Sequence, residues 1–438
     1  MNNNERKFTF VDLFAGLGGF HQALVKFGGV CVGASDINKQ VIEIYKDNFP
    51  NTPIFGDINK EWEKLPNFDV LCGGFPCQPF SKAGKQQGFN DKSDGNLFYR
   101  VIEILKAHPE CKLVILENVK NLADKTENWD IITSELKKLN FYITEEPLIL
   151  SPTQFNIPQF RERVYILGIR KDISNPLKLT NSYIHMDDLG DFNDLPKNRE
   201  GCALGDANKI LEKEFPSHCL LSKKEIEILD AWLEFKKITN FETVGVPIWL
   251  DFFGYNMSDS EFMSKKFHHI LINEEGKQVK TKSQIGKMPE WKIRFITKNR
   301  DFYLKHKKQI DKWIVKHDML NNPKVYKKFE WNCNSEDIFD YKDTIIQFRQ
   351  SGIRVKPNNY FPTLVAINNT PIIYDNYNKI LRKISPREAA NLQNFDKNYK
   401  LPSDQATYKF LGNAVNVKIV EKVFEKLISF AVEDWRNL

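Results

Sequence analysis

Cys77 stands in the most informative stretch of the chain, Leu71-Cys72-Gly73-Gly74-Phe75-Pro76-Cys77-Gln78-Pro79-Phe80-Ser81. A short apolar run there ends in two glycines and enters a Pro-Cys-Gln turn. Prolines on both sides restrict the backbone that carries the sulfur. The turn leaves the carboxyl edge of a strand, which is where open α/β sheets bind ligands. A cysteine in such a polar turn is a poor core residue and a candidate nucleophile, whereas Cys72, on the strand itself, suits burial as a small apolar group. Residues 81–96, SKAGKQQGFNDKSDGN, are polar and glycine-rich and read as a cover beside that nucleophile. Glu117 closes another strand-like run, KLVILENV, so its carboxylate faces the same edge as Cys77. In Gln159-Phe160-Arg161-Glu162-Arg163, strand alternation sets Gln159, Arg161 and Arg163 on one side and Phe160 on the other. Two guanidiniums on one side can hold a thiolate, a carboxylate or a phosphate, or else form a solvated basic edge.

A second group of residues has the spacing of a nucleoside site. Phe14-Ala15-Gly16-Leu17-Gly18-Gly19 lies at a strand-to-helix turn, where glycines let the backbone approach a ligand. Asp36 follows at the end of the second strand-like run, in position to accept hydrogen bonds from ribose hydroxyls. Asp57, after a third, is in reach of an adenine amino group. The pattern is not GxGxxG and the turn has no lysine for phosphates, which favours a nucleoside without a pyrophosphate. S-adenosylmethionine fits better than NAD or ATP.

The elements that must position these residues alternate over the first 170 positions. FTFVDLF, VCVGA, FDVLCGG, KLVILENV, FYITEEPLIL and RVYILGIR read as strands; FHQALVKF, NKQVIEIYKDNF, NLFYRVIEILKAH and NWDIITSELKKL read as helices. The strand runs are continuous rather than alternating, as expected where both faces are covered, so the fold class is α/β with a doubly wound, mostly parallel sheet. After about Arg170 the rhythm breaks, and KNRDFYLKHKKQIDKWIVKHDML reads as a basic amphipathic helix with Tyr303, Ile310, Trp313 and Ile314 on its apolar side. Order returns with the helices SPREAANLQNF and VNVKIVEKVFEKLISFAVEDW. The expected organisation is a catalytic, ligand-binding domain over 1–175, an inserted irregular domain over 176–380, and a C-terminal segment over 381–438 whose last helix returns to the first domain.

The chain has 438 residues, enough for two or three domains of roughly 150 residues. Its 41% hydrophobic and 27% charged residues are those of a globular protein, with no apolar run of membrane-spanning length. The N-terminus MNNNERKFTF lacks the apolar core of a secretory signal. Seven cysteines without a CxxC pair indicate neither a disulfide framework nor a zinc site, and a reducing compartment follows. The formal net charge is +6, but residues 261–330 alone carry 18 Lys+Arg against 8 Asp+Glu. That concentration points to a polyanionic partner met through one part of the protein.

Read in order, DLFAGLGG (12–19), ASDIN (34–38), GDI (56–58), GGFPCQPFS (73–81), GNLF (95–98), ENV (117–119), QFRER (159–163), SPREAANLQNF (385–395) and GNAV (412–415) resemble the motif series of the C5-cytosine DNA methyltransferases of bacterial restriction-modification systems. The resemblance runs from about residue 8 to the end, with no departure in the catalytic motifs. It implies a Rossmann-like class I methyltransferase fold with a target-recognition domain in the middle block. It implies that Cys77 attacks cytosine C6, that Glu117 holds the N3/N4 edge of the base, and that Arg163 supports the site with Arg161 beside it. The cytosine must then be flipped out of the duplex. On the cofactor side it implies S-adenosylmethionine held by Phe14, Gly16, Gly18, Asp36, Ile37, Asp57, Ile58, Leu97 and Asn413, with no metal.

The partner implied is double-stranded DNA, with a separately acting restriction endonuclease as a further one and a monomeric, cytoplasmic, DNA-associated bacterial enzyme as the setting. Gln78 and Ser81 next to the nucleophile, and Arg349, Arg354 and Thr363 near the pair Thr363-Leu364, are the expected DNA contacts. Arginine is the commonest reader of guanine, although these arginines could equally bind phosphate or brace the domain. Lysines of the basic block, such as Lys307 and Lys308, are expected on phosphates. Two rivals share the fold: a transfer-RNA cytosine methyltransferase, which the long middle block disfavours, and a catalytically silent DNA-binding relative, which an intact Cys77, Glu117 and Arg163 disfavour. A nucleotide-dependent oxidoreductase would leave the Pro-Cys-Gln turn and the basic block without a role.

Overall fold

The structure is a computed structural model that describes residues 8–76, 96–176, 178–179, 183–192, 195, 207–242, 244–272, 278–333, 338–364, 369–402 and 404–437. Cys77, Gln78 and Ser81, and the run after them to residue 95, lie outside the described residues. The chain divides into two compact units: the first holds Met1–Glu212, Asn359–Asn368 and Ser385–Leu438, the second Lys213–Asn358 and Asn369–Ile384. The expected boundaries at 176 and 381 therefore move. The first unit keeps the chain to Glu212 and takes back a short segment around Thr363, while the last strand of the second unit runs past 381.

The first unit is built on β1 (Thr9–Leu13), β2 (Val30–Ser35), β3 (Ile54–Phe55), β4 (Val70–Gly73), β5 (Leu113–Val119), β6 (Phe141–Ile143), β7 (Leu148–Leu150), β8 (Gln159–Phe160) and β9 (Arg163–Arg170). Its helices are α1 (Gly19–Val25), α2 (Lys39–Asn48), α3 (Ile58–Glu61), α4 (Asn96–Ala107) and α5 (Thr126–Lys138). The sheet order is β3-β2-β1-β4-β5-β9-β6, with β7 also paired to β9. β1 to β5 pair in parallel, and β9 runs antiparallel to β5, β6 and β7. The stretch FYITEEPLIL thus forms two strands rather than one. Phe10, Val11 and Leu13 of β1 and Val70, Leu71 and Cys72 of β4 are fully buried, which is why these strands are continuous apolar runs. α4 covers the sheet with Phe98, Val101, Ile102 and Leu105, a helical repeat of apolar positions. Each such buried side chain contributes about 1.5–3 kcal/mol relative to exposure.

The strand order reverses between β1 and β4: the chain runs outward from β1 through β2 to β3, then crosses back to β4 on the other side. Such a reversal opens a crevice at the carboxyl ends of the two central strands, because the crossover helices leave on opposite faces.

The second unit contains α6 (Lys223–Ile238), β10 (Ile248–Trp249), α7 (Asp259–Ser264), β11 (Lys266–Ile272), β12 (Gln278–Gln284), α8 (Glu290–Lys305), α9 (Lys307–Lys316), β13 (Lys328–Trp331), β14 (Thr344–Arg349) and β15 (Gly352–Pro357). After a return to the first unit for β16 (Phe361–Pro362), it is completed by β17 (Ile372–Asp375) and β18 (Ile380–Lys383). It is not irregular. A six-stranded sheet of order β10-β13-β15-β14-β17-β18 packs on helices through Trp232, Phe235, Tyr303, Trp313 and Phe329. The Trp232 and Phe329 rings stack with centroids 4.6 Å apart. The strands are short, and the pairings that join its hairpins, β10 to β13, β13 to β15 and β14 to β17, link segments apart in sequence, so no local rhythm announces the sheet. The expected helix from Lys298 onward is two helices. His306 leaves helical geometry at φ −110° and ψ 20°, and its Nε2 lies 2.9 Å from Glu242 Oε2. Tyr303, Ile310, Trp313 and Ile314 all reach the core as expected.

The first unit closes with α10 (Pro386–Leu392), α11 (Asp404–Asn413) and α12 (Val417–Ile428). Ser385 and Glu388 form a capping box that starts α10, and the Glu388 carboxylate also accepts the amide of Glu212 at 2.7 Å. The SPREAANLQNF segment is thus anchored within the first unit. Among the described residues no helix is long and apolar enough to cross a membrane.

Candidate active site

The crevice at the strand-order reversal contains a cavity of about 320 Å³, lined from the ends of β1, β2, β4 and β5 and from the α11 end. Register explains the convergence. Leu13 pairs with Gly73, and Gly73 pairs with Leu116, so Phe14, Gly74 and Glu117 emerge side by side. A Cβ on Gly74 would lie 3.3 Å from Glu117 Oε2, so a larger residue there would crowd the carboxyl. Phe14 adopts φ 56°, a left-handed conformation unusual for a bulky residue. Strain of this kind, about 1–3 kcal/mol, persists where surrounding structure imposes it and gathers at functional sites.

Glu117 is buried, and Arg163 Nε lies 3.0 Å from its Oε1. Arg163 opens β9 opposite Val119, two residues along from Glu117. Burial pushes the Glu117 carboxyl above its ordinary value, against the pull of Arg163 and Arg161. The neighbouring Asn118 donates from Nδ2 to Phe75 O at 3.1 Å and accepts the Val119 amide at 2.8 Å. It therefore ties the end of β5 to the chain two residues before Cys77.

Asp36 is held by two backbone amides, Gly16 N to Oδ2 at 3.0 Å and Asn38 N to Oδ1 at 2.8 Å. The Gly16 contact joins the β1 turn to the β2 end across the cavity mouth. Burial holds the Asp36 carboxyl above its ordinary value, opposed by the amides of Asn38, Gly16 and Ile37. Phe14, Gly16, Asp36 and Asn413 line the cavity together.

Other residues expected around a cofactor have different surroundings. Gly18 (φ 71°) precedes α1, and a Cβ there would lie 2.5 Å from the Phe49 ring, so it serves the turn and the packing behind it rather than the cavity wall. Ile37 is 76% exposed beside the crevice. Asp57 caps α3, accepting Asn59 N at 3.1 Å, and Ile58 and Leu97 are buried in the core beneath.

Arg161 differs from Arg163. It is buried, and its Nη groups donate to the carbonyls of Leu364 (3.2 Å), Gly412 (3.1 Å) and Ala414 (2.9 Å). Like Arg163, it lines the cavity. It fixes the GNAV turn that carries Asn413 into the cavity wall. The expected strand alternation fails at Arg161 because β8 ends at Phe160 and β9 begins at Arg163, and the Arg161 amide instead donates to Ser151 Oγ at 3.1 Å.

The expected DNA contacts also divide. Thr363 belongs to the first unit, and its hydroxyl donates to Phe160 O at 2.9 Å, reinforcing the β16–β8 pair. Arg349 and Arg354 both meet the buried carboxylate of Glu330 within the second unit. Only 18% of the Arg349 side chain is exposed there. Lys307, expected on phosphate, is paired with Asp311 and neighbours Tyr303.

Sequence reasoning missed Lys409 and Phe410, which line the cavity from α11. The apolar pair Phe410-Leu411 just before GNAV was the available signal for a helix end. It also missed Asn118, whose role depends on the approach of two strand ends. Among the described residues no cluster of three or more His, Cys, Asp or Glu side chains could hold a metal ion.

The C-5 cytosine-specific DNA methylase family matches residues 8–429. Type II methyltransferase M.AluI of Cellulosimicrobium cellulans is 31% identical, with 97% of this chain and 93% of that protein covered. Type II methyltransferase M.BanI of Aneurinibacillus aneurinilyticus is 32% identical, with 98% and 97% covered. Among solved structures, the S. pombe Dnmt2 methyltransferase superposes with a TM-score of 0.51 at 16% identity, covering 97% of this chain and 99% of its own. Entamoeba histolytica methyltransferase EhMeth gives 0.51 at 14%, with the same coverage. These two likenesses concern the fold alone.

Proposed function

The chain belongs to the C-5 cytosine-specific DNA methylase family, and from that premise we propose that it transfers the methyl group of S-adenosylmethionine to C5 of a cytosine within a specific duplex DNA sequence. The observation that supports this most is the meeting, at one strand-order reversal, of the Glu117–Arg163 pair with the Asp36–Gly16 link. A base site and a nucleoside site then share one crevice.

The residues present fit the cofactor. Asp36 offers a carboxylate at the end of β2, fixed by amides and able to accept from ribose hydroxyls, and Gly16 and Gly74 line the crevice without side chains. Asn413 and Phe14 complete that side. S-adenosylmethionine supplies an electrophilic methyl group when bound. The chain's own work is to make a cytosine accept it.

Cys77 adds as a thiolate to C6, which moves the ring's electron pair toward C5. Glu117, whose carboxyl burial keeps protonated to higher pH than usual, gives a proton to N3 and so drains the charge this addition creates. Arg163 orients that carboxyl through the 3.0 Å contact at Oε1. After C5 takes the methyl group it loses its proton to a base, the electron pair of that C–H bond expels the Cys77 thiolate, and N3 returns its proton to Glu117. Protection of host DNA against a separately acting restriction endonuclease is the biological role we assign, with the enzyme acting as a monomer.

The test is bisulfite sequencing of DNA from a bacterial host expressing the protein. One recurrent sequence carrying 5-methylcytosine is expected. Methylation of transfer RNA alone, measured in the same cells, would replace the DNA substrate with an RNA one. On the cofactor side, Asp36→Ala should weaken S-adenosylmethionine binding by about 1.5–3 kcal/mol, the scale of a hydrogen bond to a charged acceptor. Unchanged affinity by calorimetry would remove Asp36 from the site.

A further inference from the structure

Glu330 sits on β13 with 9% of its side chain exposed, and three cations converge on it. Arg349 Nη2 is 2.6 Å and Arg354 Nε 2.9 Å from the same oxygen, Oε2, while Lys328 Nζ is 3.6 Å from Oε1. Strand pairing builds the cluster. Glu330 and Arg354 are direct partners across β13 and β15, and Arg349 ends β14 where the chain turns into β15. Burial opposes the charge on Glu330, yet Arg354, Arg349 and Lys328 hold its carboxyl below the ordinary value. One carboxylate among three cations leaves two positive charges in excess. A cluster built only for stability would need one partner, or none, since well-packed apolar residues serve a sheet at least as well.

The three cations are not equivalent. Arg349 and Lys328 are each 18% exposed, whereas 40% of the Arg354 side chain is exposed. The contact to Glu330 uses Arg354 Nε, and among the described residues its Nη groups have no hydrogen-bond partner. A guanidinium pinned at Nε has its plane set and offers its outer pair of N–H groups as a fork. Guanine is the base that presents two acceptors, O6 and N7, to such a fork in the major groove; adenine offers one acceptor and one donor there.

We propose that Glu330 is a specificity-positioning residue: by holding Arg354 at Nε it aims the arginine at a guanine of the recognised DNA site. This rests on the reading that the second unit contacts duplex DNA. Arg349 and Lys328 share the carboxylate, so its charge does not cancel that of Arg354.

The test is selection of bound sequences from random duplexes by the full-length protein and two variants, with thermal melting to check that each is folded. Glu330→Gln removes the charge that pins Arg354. Glu330→Asp keeps the charge but withdraws it by one methylene, and stands in if the glutamine variant does not fold. Both variants should relax the preference for guanine at one position by about tenfold or more, within the range of a lost bidentate contact. The other positions should keep their preferences. Arg354→Lys should relax the same position. Folded variants with the wild-type preference throughout overturn the proposal, as does a uniform loss across all sequences, which would mark the cluster as a phosphate anchor or a brace. Because selection reads binding alone, absence of methyl transfer by the wild type would reject the proposed reaction without deciding the role of Glu330.

Discussion

Cys77→Ser protein is expected to transfer no methyl group above background, a loss of roughly a million-fold, the scale seen when a covalent nucleophile is removed. Its affinity for S-adenosylmethionine should be unchanged, since Asp36 and Gly16 follow other strands and Asn413 ends α11. The hydroxyl cannot replace the thiol because its proton is held far more tightly at neutral pH. The other cysteines among the described residues are buried and poor substitutes. Burial pushes the Cys31 and Cys333 thiols up to about 12, and those of Cys72 and Cys111 are raised as well. DNA bearing 5-fluorocytosine at the target should trap the wild-type enzyme covalently, because fluorine does not leave as a proton does. Peptide mass spectrometry should place that adduct on Cys77; an adduct on Cys72, or full activity in the serine variant, would end the assignment.

Glu117→Gln should lower kcat by about 10²–10⁴-fold, the usual weight of a positioned acid. The change keeps shape and removes the proton that N3 would receive. Its sign with pH follows from the carboxyl's surroundings. Burial raises Glu117 above the ordinary carboxylate value, so the acid form persists as pH rises past the point where a surface glutamate ionises. The wild-type rate should fall on the alkaline side as that proton is lost, and the glutamine variant should lack this fall. A flat effect of pH in both proteins, or a variant with wild-type kcat, would show that Glu117 only packs the crevice floor. Glutamine also changes the group that Arg163 meets, so part of the loss can appear as stability, and melting curves separate the two.

The α/β architecture of the first unit was legible because its strands are buried on both faces and its helices on one. Runs such as VDLF and LVILEN announce the first pattern, and Phe98, Val101, Ile102 and Leu105 the second. The second unit was not legible. Its sheet joins β13 to β15 and β14 to β17, pairings between short segments whose local sequence carries no record of the partner. The boundary at 176 failed for a related reason. Residues 177–212 look irregular, yet Ile184 pairs with Thr144 next to β6 and so belongs to the first unit.

For the site, sequence alone determined which residue ends each strand: Phe14 after β1, Asp36 after β2, Gly74 before Cys77, and Glu117 on β5. Those positions follow from local composition, because the glycine turns after Phe14 and at 73–74 and the acid at 36 interrupt the apolar runs, while Glu117 lies near the end of its own. Which ends become neighbours was decided by the order of the sheet, and the reversal between β1 and β4 brings three of them together. The tertiary structure also separated residues that look alike in one letter. Arg161 and Arg163 share a motif, but the gap between β8 and β9 turns the first toward the carbonyls of Gly412 and Ala414, while the second faces Glu117. Arg349 and Arg354 share a hairpin, but the depth of Glu330 beneath them leaves only the second with much exposed surface. A side chain's type is written in the sequence; the field and the partners it meets come from chain segments far away, and only folding brings those within hydrogen-bonding reach.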